Sequence, residues 1–152
     1  VATPLSEALD KLVAHIQPIA DQIRVREINK YPKALMERVN PPVIDLVLMD
    51  DAVTNKGQGS SLVLQHAISF RLFFYSEVLT AEAKFDDCLL KLEAIQDYLL
   101  NHLSVDNGYG DLGLSDSDTF EGLGVTMGEI FGSGEAYVGG YINLSLKVLT
   151  IY

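Results

Sequence analysis

The stretch Leu62-Val63-Leu64-Gln65-His66-Ala67-Ile68-Ser69-Phe70-Arg71-Leu72-Phe73-Phe74-Tyr75 decides the fold class. Leu62, Leu64, Ile68, Phe70, Leu72 and Phe74 fall on one face of an extended chain, and only His66 interrupts that apolar face. The other face mixes Gln65, Ser69 and Arg71 with apolar side chains. A period of two predicts a β-strand, and its length exceeds the usual strand of about 5–6 residues. Such a strand either bends across its sheet or projects beyond its neighbours. An exposed edge is therefore expected over 62–75. A second is expected over 141–152, where Ile142, Leu144, Leu146 and Val148 alternate with Asn143, Ser145, Lys147 and Leu149 in a strand.

Working outward, Asn40-Pro41-Pro42 enforces extended backbone ahead of Val43-Ile44-Asp45-Leu46-Val47-Leu48-Met49. That run reads as a buried strand closed by a turn at Asp50-Asp51. The segment from Asn55 to Ser61 is the polar, glycine-containing connection that joins two antiparallel strands. Near the start, Thr3-Pro4 reads as an N-cap and first helical residue, followed by Leu5, Leu9, Leu12, Ile16, Ile19 and Ile23 at helical spacing. Pro18 removes the hydrogen bond to residue 14, so this helix is expected to kink or end near Gln17. Downstream, Thr80 can cap a helix in which Phe85, Cys88, Leu89, Leu92, Ile95, Leu99 and Leu103 repeat at three and four. Glu82, Asp86 and Asp87 suit its N-terminus. The expectation is an α+β fold: a mainly antiparallel sheet, one long helix packed across it and an N-terminal helix.

Composition limits what such a domain does. A chain of 152 residues makes one domain, long enough to bury roughly 68–70% of its unfolded surface. With 48% hydrophobic and 21% charged residues it is neither disordered nor fibrous. The single Cys88 cannot form an internal disulfide or complete a cysteine-based zinc site, and a reducing compartment is expected. A net charge of −10 repels a phosphate backbone, which argues against nucleic-acid binding as the main task. No apolar run approaches the roughly 20 residues of a membrane span, and the first residues lack the order of a signal peptide. The expected chain is unexported and not membrane-bound.

Charge is unevenly distributed along the chain. From residue 24 to 38, Arg24, Arg26, Lys30, Lys33 and Arg38 outnumber Glu27 and Glu37, and this is the one basic region. From 106 to 135 come Asp106, Asp111, Asp116, Asp118, Glu121, Glu129 and Glu135 with no base at all. This second stretch is glycine-rich and reads as an insertion, either a binding loop or a segment ordered by a partner, with a short strand from Val125 to Phe131. Solvated surface is the plain reading of both charge runs. If copies of the chain pack head to tail, however, the basic region of one faces the acidic region of the next. Such a heterologous contact closes into a ring when its rotation permits.

Catalytic signatures are weak. Gly108-Tyr109-Gly110-Asp111-Leu112-Gly113 has dinucleotide-loop spacing but follows a helix and sits among carboxylates, so a flexible loop is expected. Asp106, Asp111, Asp116 and Asp118 offer oxygen ligands for calcium, yet Phe120 and Glu121 stand where a ligand and the turn glycine of a calcium loop belong. His15, His66 and His102 share no metal-ligand spacing, and His66 reads as a core or interface histidine. Ser60 and Ser61 lack the second glycine of a nucleophile elbow, since Val63 occupies its place. Cys88 falls on a helix's apolar face, where an inert thiol is expected. No catalytic, cofactor or metal residue is assigned, and the chain is read as a non-enzyme.

In order of elements the chain resembles the tail terminator, or tail completion, proteins of long-tailed bacteriophages. The pieces are the helix from Leu5 to Ile23, Tyr31-Pro32, Pro41-Pro42-Val43-Ile44-Asp45-Leu46-Val47-Leu48, Ser69-Phe70-Arg71-Leu72-Phe73-Phe74-Tyr75, the helix from Ala81 to Leu103, and Tyr141 to Tyr152. They span most of the chain, so residues 1–152 form a single terminator-like domain carrying the acidic insertion at 106–135. The resemblance implies a structural protein of a phage or prophage virion tail, assembled in the bacterial cytoplasm. It implies a hexameric ring on the tail tube protein that stops tube growth and presents a surface to a head connector or head completion protein. DNA would pass through an acidic lumen without specific binding. The expected interface residues are Arg24, Arg26, Lys30, Lys33 and Arg38 on one side and Asp111, Asp116, Asp118 and Glu121 on the other. Two rivals remain. One is a ligand-binding or metal-dependent enzyme domain whose 106–135 loop closes over His66 or His102. The other is an adaptor that binds a protein through exposed strand edges.

Overall fold

In the computed structural model the alternating stretch is the centre of the sheet. The structure describes residues 4–55, 57, 59, 62–78, 85–102, 119–131 and 136–151. In chain order the elements are α1 (Pro4–Gln22), β1 (Glu27–Asn29), α2 (Lys33–Met36), β2 (Val43–Asn55), β3 (Val63–Val78), α3 (Phe85–His102), β4 (Thr119–Phe131) and β5 (Ala136–Ile151). The five strands lie in the order β1-β2-β3-β5-β4. β1 is parallel to β2 and every other pair is antiparallel, which makes this a mixed α+β fold.

Alternation along β3 dictates the layers. Ile68, Phe70, Leu72 and Phe74 are buried in one cluster with Ile44 and Leu46 of β2 and with Val138, Ile142 and Leu144 of β5. Two helices cover that face: α1 contributes Leu12, Ile16, Ile19 and Ala20, and α3 contributes Cys88, Leu92, Ile95 and Leu99. The helices are of nearly equal length, 19 and 18 residues. They run antiparallel, with the Tyr98 hydroxyl donating to the His15 carbonyl at 2.8 Å. A second, smaller core lies on the opposite face at one end, where Ala34 and Val39 pack on Val43, Tyr75 and Tyr137. Tyr75 and Tyr137 meet edge to face, with ring centroids 5.2 Å apart.

Several boundaries differ from the sequence expectation. α1 does not end near Gln17 but continues through Pro18 to Gln22. Ile16 and Ile19 flank the proline and are both buried. At about 2 kcal/mol for each buried side chain, their packing offsets the roughly 3 kcal/mol that an interior proline costs. β2 does not turn at Asp50-Asp51 either. It passes a register shift between Leu48 and Asp50 and pairs with β3 as far as Asn55. Asp50 fits there because this half of the strand is open to solvent, with Met49 49% and Val53 50% exposed. The following turn uses the Asn55 side chain, which accepts from the Gly57 N–H at 2.9 Å, and Gly59 in a left-handed conformation (φ 66°).

The acidic stretch is corrected more deeply. Residues 119–131 form the full-length edge strand β4, paired along β5 from Lys147 to Ala136, whereas only a short strand within a loop was expected. A run containing Gly122, Gly124 and Gly128 carries little intrinsic strand preference, and the neighbouring β5 backbone supplies the hydrogen-bonding template. The expected exposed edges at 62–75 and 141–152 are overturned as well. β3 pairs with both β2 and β5 from Leu64 to Tyr75, and β5 pairs with both β3 and β4 from Tyr141 to Lys147, so 148–151 keep a free side, and the main open edges belong to β2 and β4. β1 covers β2 only at Val43–Asp45.

Candidate functional site

The basic region converges on one end of the sheet. α1 ends in a Schellman motif, with the Val25 N–H donating to the Ala20 carbonyl at 2.8 Å and the Arg24 N–H to the Asp21 carbonyl at 3.2 Å. Arg24 occupies the left-handed position of that motif, at φ 63°. The chain then enters β1, where the Arg26 N–H donates to the Pro42 carbonyl at 2.8 Å and Arg26 Nε to the Pro41 carbonyl at 3.1 Å. These contacts direct Arg24 and Arg26 into a groove of about 700 Å³ lined by Gln22, Ile23, Arg24, Arg26, Pro42 and Lys91. A neighbouring depression of about 350 Å³ holds Arg26, Lys33 and Arg38 together with Glu27 and Glu37.

The five bases expected at an interface are therefore close together but differently engaged. Lys30 pairs with Asp10 of α1. Lys33 lies 3.0 Å from Glu27 and 3.7 Å from Glu37. The hydrogen bond that Lys33 Nζ donates to the Glu27 carboxylate holds the Lys33 pKa above its ordinary value, against a smaller effect of burial. Arg24 and Arg26 have no carboxylate partner among the described residues. Lys91, the one base of α3, joins them and pairs with Asp87 at 3.0 Å. Its membership was hidden in the sequence, where Asp87 and Lys91 read as an ordinary i, i+4 helix pair.

On the acidic side, Asp106, Asp111, Asp116 and Asp118 lie outside the described residues. Glu121 is placed only by backbone: it sits at the register shift of β4 between Phe120 and Gly122. Thr119, where β4 begins, is level with Lys147, which pairs with Ala67, which pairs with Ala52. Ala52 is nine residues from Val43 along β2, roughly 30 Å at ~3.3 Å per residue. The groove borders Pro42, so the start of β4 stands at the opposite end of the sheet.

A second polar group was missed entirely. Asp45 is fully buried on the face away from the long helices. Its carboxylate accepts from the Ala34 N–H at 2.9 Å and from Asn29 Nδ2 at 2.9 Å. Burial pushes its pKa upward, and these two hydrogen bonds oppose that shift. Tyr75 is also pushed up, first by burial and then by the charge of Asp45 and by Tyr137. Asp45 thus latches β1 and α2 onto the sheet. An acid inside the apolar run Val43–Met49 was the signal in the sequence.

The chemistry considered for the histidines gains little from the geometry. His66 is buried on the helix-covered face of β3, and His15 lies in α1 with its ring 5.5 Å from that of Tyr98. His102 ends α3. The described part of the acidic stretch, β4, is separated from β3 by β5, so it does not close over His66. Among the described residues no three His, Cys, Asp or Glu side chains are grouped to hold a metal ion. None of the described helices is long and apolar enough to cross a membrane. No protein-family model matches the chain, and comparison with curated proteins finds no match.

Proposed function

We propose that this chain is a ring-forming structural protein of a phage or prophage tail, a terminator that caps the tail tube and joins it to the head. The observation that carries the reading is the polarity of the fold. Arg24 to Arg38 gather at one end of the sheet, and β4, which follows Asp106 to Asp118 in the chain, begins at the other, while Glu129 at its far end returns to the basic side. A subunit with a positive and a negative end favours head-to-tail contacts, which close into a ring at a suitable rotation. In this reading α1 is the terminator's N-terminal helix and α3 the helix laid across the sheet. Arg24, Arg26, Lys30, Lys33 and Arg38 face Asp111, Asp116, Asp118 and Glu121 of a neighbour. The tail tube protein and a head connector are the further partners, and DNA threads the ring without being gripped.

Light scattering at several concentrations tests the reading. Six copies of a 16.7 kDa chain give about 100 kDa. That mass is expected at low salt and should fall near 1 M salt, where the screening length shrinks from about 10 Å to about 3 Å. A mass that ignores salt counts against electrostatic docking. The open outer edge of β2 favours one rival, a protein-binding adaptor, because exposed Leu48, Met49 and Val53 line its uncovered part. A monomer at every concentration and salt level supports the adaptor instead.

A further inference from the structure

We propose that the groove between the end of α1 and Lys91 of α3 is the receptor for the acidic residues just before β4, Asp116 to Asp118, of a second copy of this chain. The inference rests on the self-assembly reading above and narrows it to one contact. Of the five bases in the region, Lys30 and Lys33 spend their charge on Asp10, Glu27 and Glu37 within the same subunit. Among the described residues Arg24 and Arg26 meet no carboxylate, and both line the groove with Lys91. Two arginines, with Lys91 already paired to Asp87, border a space of about 700 Å³ that suits an anionic chain, and the forked guanidinium groups suit carboxylates in particular.

Arg24 adds an independent indication. Its position in the Schellman motif requires the left-handed conformation that glycine adopts without strain and a long side chain does not. The Arg24 side chain faces the groove.

Chain length identifies the donor as another copy. Asp116 and Asp118 precede Thr119 by three residues and one residue, a span of at most ~11 Å at ~3.6 Å per residue. Thr119 is level with Ala52, roughly 30 Å along the sheet from the groove at Pro42. These carboxylates cannot reach the groove of their own subunit. In a head-to-tail pair the negative end of one subunit meets the positive end of the next, where they can.

A charge swap tests the contact. The full-length Arg24→Glu/Arg26→Glu variant and the full-length Asp116→Lys/Asp118→Lys variant are each expected to stay monomeric in light scattering. Their equimolar mixture is expected to regain the wild-type mass, because each reversed groove then meets a reversed segment. Arg26 also holds the Pro41 carbonyl, so Arg24→Gly serves as a second variant. It should unfold at a temperature no lower than wild type and yet weaken self-association roughly tenfold. Wild-type association by Arg24→Gly, or a mixture that fails to assemble, overturns the groove. If the wild type assembles and the Arg24→Glu/Arg26→Glu variant does too, the groove fails and the ring reading stands. A wild type that is monomeric throughout fails both.

Discussion

Replacing Phe70 by alanine is expected to cost about 4 kcal/mol of unfolding free energy, read as a lower urea midpoint with an unchanged slope. Phe70 is 1% exposed in the central strand, flanked by Leu48 of β2 and Leu144 of β5 and covered by both long helices. Truncating it leaves a cavity that neither helix can fill without losing its own contacts. A domain of this size holds only about 5–15 kcal/mol in total, so the variant would be marginal. Phe73, three residues on, faces the opposite side and is half-buried against the smaller core. Phe73→Ala should cost about 1 kcal/mol. The order of the two effects tests the strand register directly, since a one-residue slip exchanges the faces. A larger loss from Phe73→Ala would place the helices on the wrong side of the sheet.

Asp45→Ala is expected to cost about 3 kcal/mol, because it strands the buried Ala34 N–H and the Asn29 amide at once. Asp45→Asn keeps an acceptor and should lose far less. The pair also separates geometry from charge. The folded carboxyl titrates above its unfolded value, so the folded state holds a proton that the unfolded state releases. Wild-type stability relative to Asp45→Asn is therefore highest below the unfolded pKa of about 3.8, falls as pH rises through the raised folded value, and is flat beyond it. Urea melts of both proteins from pH 3 to 8 check this. A difference that grows with pH would mean that the two donors outweigh the burial. The site matters for assembly too, because the segment latched by Asp45 carries Lys33 and leads through Pro42, at the border of the groove.

Both effects bear on the functional reading through position rather than chemistry. The latch and the Schellman motif set the end of α1, β1 and α2 around one end of the sheet. A rigid basic end is what a heterologous contact needs, since docking a flexible one would cost ordering entropy.

The amphipathic stretches were legible one at a time. Period two from Leu62 to Tyr75 and period 3.6 from Phe85 to Leu99 follow from backbone geometry alone, so β3, α3, α1 and the outline of β2 could be read from side-chain order. The clustering of bases between Arg24 and Arg38 was equally plain as a count. What the sequence could not decide was whatever depends on a neighbour. Pro18 stays helical because Ile16 and Ile19 reach a core built from distant strands. Thr119–Phe131 is a strand because β5 lends it a backbone edge. β3 and β5 are interior and β2 and β4 are edges because strand order is a property of the whole sheet. The same holds at the candidate site, where ion pairing with Asp10, Glu27 and Glu37 removes Lys30 and Lys33, and antiparallel helix packing adds Lys91. A local pattern records which face a residue prefers, and tertiary contact decides what it finds there.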